Sequence, residues 1–294
     1  MAIVVALPGS EGHAEKLATR VGARLVRPEL REFPDGEIYV RIDAPLTGES
    51  VAIVASLYPR PAEQFMRVAF VAETARELGA RRVGLVAPYL AFMRQDHRFK
   101  PGEGVTSGYF AKLVSRAVDW LVTVDPHLHR HASLAELYTI PTGVAHAASA
   151  IASWIESSVH SPVLIGPDAE SAQWVSAVAA ACGAPYVILE KTRRGDRDVS
   201  ITPPSGAWNG HTPVVIDDIV STGKTMIEAT RQVVAAGGAP PMCVAIHAVF
   251  ADALQAELAA AGAAGIVTCN TIAHASNQIC VADSIAAAVR PHVA

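Results

Sequence analysis

Residues 213 to 225 read PVVIDDIVSTGKT: an apolar run ends in two adjacent carboxylates, Asp217 and Asp218, and small hydroxylic residues follow at once. Those residue types in that order suit a phosphorylated sugar. Val214 to Ile216 are β-branched and bounded by Pro213, as in a buried parallel strand, and Met226 to Ala236 have helical spacing, so a helix N-terminus is predicted at Ser221 to Thr225. Free backbone N–H groups and the positive end of the helix dipole can hold a phosphate dianion there. Ser221, Thr222 and Thr225 add hydroxyl donors, Gly223 permits close approach and Lys224 adds charge. Asp217 and Asp218, at the carboxyl end of a strand, can accept hydrogen bonds from vicinal ribose hydroxyls or bind Mg²⁺ through water. The ending TGKT has the look of a nucleotide P-loop, but Asp218 stands where that motif needs its first glycine. A simple helix cap would use only one of the two carboxylates.

Other segments carry chemistry of the same kind. Residues 32 to 37, EFPDGE, set an aromatic ring and carboxylates on a turn, where Phe33 can stack on a base and Asp35 or Glu37 can accept from an amino group; PDG is also an ordinary β-turn sequence. Residues 92 to 100, FMRQDHRFK, gather Arg94, His97, Arg98 and Lys100 beside Gln95 and Asp96, a donor set for a polyphosphate or a solvated charge run. Residues 123 to 131, TVDPHLHRH, put Asp125 and three histidines past a strand end. No cysteine joins them to make a zinc set, and the preferred reading is that His127 assists a Mg²⁺ otherwise held by water and phosphate oxygens. Asp168 in IGPDAES is a carboxylate before a helix, either a ligand or an N-cap. Residues 190 to 198, EKTRRGDRD, combine Lys191, Arg193, Arg194 and Arg197 with Gly195, as an exposed hairpin or as a cationic lid over a transferring phosphoryl group.

These segments sit between elements that alternate strand-like apolar runs with longer helical patterns, the signature of parallel α/β structure. Strands are expected at Ile3 to Leu7, Ile38 to Ile42, Val51 to Ala55, Val83 to Ala87 and Leu121 to Asp125, and again at Val163 to Gly166, Tyr186 to Leu189, Val214 to Asp217, Val244 to Val249 and Ile266 to Cys269. With 294 residues and 51% hydrophobic content, the chain can bury two cores. The turn-rich stretch from Ile140 to His146 is the expected boundary between domains at 1–146 and 147–282, with a last helix at 283–290 returning to the first. Two halves of one α/β type suggest duplication of a single unit. A net charge of −4 gives no global basic footprint, which argues against a nucleic-acid partner. Cys182, Cys243, Cys269 and Cys280 form no CxxC pair and read as reduced core thiols of a cytoplasmic protein. No leader pattern or membrane-length apolar run is expected.

Taken in order, FPDGE, the Pro-Tyr segment ending in RQD, TVDPH, GPD, the Lys-Thr-Arg lid pair and VVIDDIVSTGKT resemble the ribose-phosphate diphosphokinase family, with PYLAFMRQDHRFKPGE and IGPDAES closest to its archaeal-type branch. The resemblance covers about Ile3 to Cys280. It implies two phosphoribosyltransferase-like domains, each a mostly parallel sheet flanked by helices. It also implies transfer of the β,γ-diphosphoryl group of MgATP to the C1 hydroxyl of ribose 5-phosphate, giving phosphoribosyl pyrophosphate and AMP. On that basis Phe33, Asp35, Glu37, Arg94, Gln95 and Asp96 correspond to the ATP site. Asp217, Asp218 and Ser221 to Thr225 correspond to the ribose 5-phosphate site, His127 and Asp168 to Mg²⁺-associated positions, and Lys191 with Arg193 to the catalytic lid pair. The adenine turn serves a neighbouring subunit in this family, which implies at least a dimer. Ser221 and Lys224 depart from an acid and a second glycine common in the family, and Asn270 and Ala273 from a frequent aspartate and proline. The alternatives are a type I phosphoribosyltransferase, which needs only the last motif and one domain, and a catalytically silent subunit of the same family.

Overall fold

The computed structural model describes residues 2–189, 192–194, 198–200, 210–251 and 253–293. The chain divides into two compact units, Met1–His146 with Val281–Ala294, and Ala147–Cys280.

In the first unit the strands are β1 (Ala2–Ala6), β2 (Arg24–Val26), β5 (Ser50–Val54), β6 (Arg82–Ala87), β7 (Trp120–Val124) and β8 (Thr142–Ala145). They form one sheet in the order β2-β1-β5-β6-β7-β8, and every pairing is parallel. The helices α1 (Glu11–Val21), α2 (Pro61–Glu77) and α3 (Thr106–Ala117) follow β1, β5 and β6. Because helices cover the faces, the central strands are buried on both sides and read as unbroken apolar runs: β5 and β7 are buried at every position. A separate antiparallel hairpin, β3 (Glu29–Glu32) with β4 (Ile38–Arg41), carries the FPDGE turn at its tip.

The second unit begins with α4 (Ala148–Ser158) and repeats the plan. Its strands are β9 (Pro162–Gly166), β10 (Tyr186–Ile188), β13 (Thr212–Val220), β14 (Met242–Ala248), β15 (Gly265–Cys269) and β16 (Asn277–Ile279), in the parallel order β10-β9-β13-β14-β15-β16. The helices α5 (Ala172–Cys182), α6 (Lys224–Ala235) and α7 (Ala253–Ala260) lie between them. A two-stranded antiparallel ribbon, β11 (Thr192–Arg194) with β12 (Asp198–Ser200), falls between β10 and β13, as β3 and β4 fall between β2 and β5. Both sheets therefore have one topology, including the insertion.

The C-terminal helix α8 (Ala282–Val293) belongs to the first unit. Arg20 Nε donates to Asp283 at 2.6 Å, and the His292 ring stacks on Trp120 with centroids 4.9 Å apart. Trp120 in turn lies across Gly84, where any Cβ would collide with the indole.

The structure corrects three expectations. Residues 140 to 146 are not simply a turn-rich break, since Thr142–Ala145 form β8. β13 does not stop at the aspartates but runs on to Val220. Only Cys243 and Cys269 are buried; Cys182 is half-buried and Cys280 is exposed, so the thiols are not all core residues.

Candidate functional site

Each sheet reverses its winding where its third strand joins the first, between β1 and β5 in one unit and between β9 and β13 in the other. In open α/β sheets ligands bind beyond the carboxyl ends of the strands at such a reversal. In the second unit that position holds Asp168, just past β9, and Asp217, Asp218 and the loop 221–225 at the end of β13.

Gly223 is the N-cap of α6 with φ 69°, so the backbone turns into the helix through a left-handed residue. A Cβ at this position would lie 2.0 Å from Leu254 Cδ1, so glycine is required by both conformation and space. No side-chain cap hydrogen bond is made at this helix start. The first N–H groups of α6, at Lys224 and Thr225, thus start a helix without a side-chain cap, a geometry that can accept an anion.

The two aspartates lie within β13, shortly before it ends at Val220. Asp218 is buried, 4% exposed, and its Oδ1 accepts from Ile219 N at 2.7 Å. Asp217 is half-buried and accepts from Asp218 N at 3.0 Å. Burial, then the negative charges of Asp218 and Asp168, push the Asp217 carboxyl up to about 8. The repulsion among three acidic side chains so arranged is relieved by the proton that Asp217 retains, or by a cation or hydroxyl donors in its place. Asp168 also caps the short turn Ala169–Ser171 through Oδ1, accepting from Glu170 N at 3.1 Å and Ser171 N at 3.2 Å. The N-cap reading of Asp168 is therefore the one seen in these contacts.

In the first unit, the FPDGE turn is an ordinary tight turn: Gly36 has φ 89°, Gly36 N donates to Phe33 O at 2.9 Å, and Asp35 Oδ1 accepts from Glu37 N at 3.2 Å. Phe33 is nevertheless 40% exposed, edge-on to Tyr39, with the Arg31 guanidinium 4.9 Å from its ring centroid. Arg94 is exposed and Gln95 half-buried on the loop after β6. Asp96 is different: its side chain is only 4% exposed and is engaged by Arg130 and His97. After β7, Asp125 adopts φ 30° and accepts from His146 Nδ1 at 2.8 Å, while the rings of His127 and His129 meet edge-on at 3.9 Å. Lys191 lies outside the described residues. Arg193 is on β11, opposite Val199.

Residues 269 to 277 hold the sheet edge together. Thr268 Oγ1 and Ser276 Oγ are 2.8 Å apart, and Asn277 Nδ2 donates to Thr268 Oγ1 at 2.8 Å, which fixes β16 beside β15. Asn270 donates its backbone N–H to Ile279 O at 2.9 Å.

Two family models match this chain. One, described as the N-terminal domain of ribose phosphate pyrophosphokinase, covers residues 2–117, and the other, a phosphoribosyl transferase domain, covers residues 133–283. Proteins named ribose-phosphate pyrophosphokinase are similar along nearly the whole chain. That of Methanopyrus kandleri is 33% identical over 97% of this chain and 98% of its own, and that of Sulfurisphaera tokodaii is 30% identical over 96% and 97%. The chain belongs to the ribose-phosphate pyrophosphokinase family. The crystal structure of phosphoribosylpyrophosphate synthetase from Mycobacterium smegmatis has the same fold, with a TM-score of 0.86 at 21% identity over 99% of both chains. For this pyrophosphokinase-family chain, sequence reading passed over Arg130. The only signal was an arginine between His129 and His131 on a strand-end loop.

Proposed function

We infer that this chain is a ribose-phosphate diphosphokinase, moving the β,γ-diphosphoryl group of ATP to the C1 hydroxyl of ribose 5-phosphate to give phosphoribosyl pyrophosphate and AMP. The observation that carries this is one chain that is similar to a family member over 97% of its length and also has, at the winding reversal of its second sheet, a carboxylate pair followed by a helix start without a side-chain cap. A type I transferase needs only the second of these two units.

In this reading the N–H groups and hydroxyls of Ser221 to Thr225, with Lys224, hold the 5-phosphate, and Asp217 and Asp218 accept from the ribose hydroxyls. Such donors fix the C1 hydroxyl for in-line attack, and phosphoryl transfer asks the protein for little beyond alignment and charge neutralisation. Phe33, Asp35 and Glu37 take the adenine, and Arg94 and Gln95 orient the nucleotide. Lys191 and Arg193 stabilise negative charge on the transferring diphosphoryl group, an interaction worth most in the transition state. Mg²⁺ fits the hard oxygen donors at Asp168, and we assign Asp168 and His127 to two separate Mg²⁺-associated positions, where the ion when bound would neutralise polyphosphate charge. The exposed Phe33 turn suits service to a neighbouring copy, and we propose at least a dimer acting in the cytoplasm.

Phosphorus NMR of purified protein with MgATP and ribose 5-phosphate tests the assignment. AMP and phosphoribosyl pyrophosphate are the expected products. ADP, free pyrophosphate or unchanged ATP would each reject it.

A further inference from the structure

Asp96 ends the RQD segment of the loop after β6, yet its carboxylate is spent inside the protein. Arg130 Nη1 donates to both Asp96 oxygens, each at 3.0 Å, and His97 Nδ1 lies 3.0 Å from Oδ1. Burial disfavours the charged carboxylate, but the hydrogen bonds from His97 and Arg130 and the Arg130 charge outweigh it and hold Asp96 below its ordinary range. A carboxylate so engaged and only 4% exposed has almost no surface left for a ligand.

Arg130 has the complementary geometry. One nitrogen, Nη1, meets Asp96, which leaves the Nε and Nη2 edge with three N–H donors and no hydrogen bond among the described residues. The side chain is 47% exposed. Its guanidinium carbon lies 5.7 Å from the Phe99 ring centroid, and Phe99 packs on His97 with ring centroids 3.6 Å apart. Phe99 and Lys100 are themselves held by their backbone N–H groups, which donate to Glu103 at 2.8 and 3.0 Å. A guanidinium pinned at one end, shelved on an aromatic ring and open along a planar edge is preorganised for bidentate contact with phosphate oxygens.

We propose that Arg130 is a phosphate-binding residue for the nucleoside triphosphate and that Asp96, through its bond to Nη1, is the positioning residue that aims it. This rests on the reading that the loop after β6 receives ATP. It transfers the nucleotide contact from Asp96, where the family order puts it, to a side chain on the loop after β7. It also explains why an acid stands in an otherwise cationic segment: it orients a cation instead of meeting the anion.

The test measures equilibrium affinity by calorimetry for ATP, adenosine and ribose 5-phosphate, without turnover. Arg130→Gln is expected to weaken ATP by about 10- to 100-fold, the loss of one charge-assisted bidentate contact, with adenosine and ribose 5-phosphate unchanged. Arg130→Lys keeps the charge but not the fork and is expected to lose about tenfold. Asp96→Asn is expected to weaken ATP in the same direction, and the double variant to be no worse than Arg130→Gln alone. ATP affinity in Arg130→Gln within about twofold of the parent overturns the proposal. So does an equal loss for ATP and adenosine, or fully additive effects of the two substitutions. Arg130→Lys retains the burial of its neighbours, so the decision does not depend on Asp96→Asn folding. Failure of the unmodified protein to make phosphoribosyl pyrophosphate would reject the enzymatic assignment, a result read separately from ATP affinity.

Discussion

Replacing Gly223 by alanine probes the phosphate loop without removing a single donor. Two penalties are visible in the structure. A non-glycine residue at φ 69° costs about 1–2 kcal/mol, and a Cβ 2.0 Å from Leu254 Cδ1 forces the buried leucine or the helix start to move, at about 1–3 kcal/mol. Their sum, roughly 2–5 kcal/mol, falls on the turn that aims the first N–H groups of α6. Either the protein loses that stability, or the turn opens and the proposed anion site loses its shape. The assay pairs chemical denaturation with calorimetric titration of ribose 5-phosphate, for Gly223→Ala, Leu254→Ala and the double variant. Leu254→Ala empties the colliding volume, so a favourable coupling of about 1–3 kcal/mol is expected between the two changes, while the backbone penalty remains. Normal ribose 5-phosphate affinity together with unchanged stability in Gly223→Ala would refute the reasoning. Strict additivity with Leu254→Ala would remove the steric half of it.

Lys191→Ala should lower turnover by orders of magnitude while leaving ribose 5-phosphate affinity near that of the parent, checked by steady-state kinetics beside calorimetry. Asp217 has a raised folded-state pKa, so the ligand-free protein holds a proton there that the unfolded chain has lost, and its stability should fall as pH rises from about 4 to about 8. Asp217→Asn should flatten that slope and gain on the order of a few kcal/mol at pH 8, read from denaturation curves across the range. His146 is raised by its hydrogen bond to Asp125, so its contribution is fully present below about pH 6.5 and is lost as pH climbs through the folded pKa. Because the imidazole is largely exposed, the change should stay under about 1 kcal/mol and vanish in His146→Gln.

Much of the architecture was legible because parallel strands under two layers of helices announce themselves as apolar runs. β1, β5, β7 and the first half of β13 are of this kind, and the alternation with helical spacing gave the fold class. What escaped was short, polar or context-made. β3 reads ELRE with three exposed positions, because a ribbon outside the main sheet needs no apolar face. β8 and β16 are brief edge strands, one of them built around Gly143. The adjacent aspartates masked the continuation of β13, since two consecutive polar residues look like a strand end even when the backbone keeps its pairing with β14 through Val220. The contact between Asp96 and Arg130 joins residues 34 apart in sequence, which no local pattern encodes.

The repeated topology sharpens the question of why one half carries the proposed sugar-phosphate loop. At the reversal of the first sheet the equivalent strand, β5, ends in SVAIV and continues through buried Ala55, Ser56 and Leu57, with no carboxylate to meet a hydroxyl. Ser10 Oγ there accepts from Ser56 N at 2.8 Å, closing the position with an internal bond. The helix that follows, α2, begins at Pro61 after an arginine at φ 57°, so one of its first N–H groups is missing. In the second unit the same position has Asp217 and Asp218, a glycine at the N-cap and a lysine at the first helical residue. One frame thus appears twice, and the residues at one strand-to-helix turn, Asp217, Asp218, Gly223 and Lys224, separate the proposed anion site from a closed structural corner. The insertions follow the same logic: a ribbon after the second strand carries an exposed aromatic turn in one unit and Arg193 in the other, so both additions to the frame enter at a single topological point.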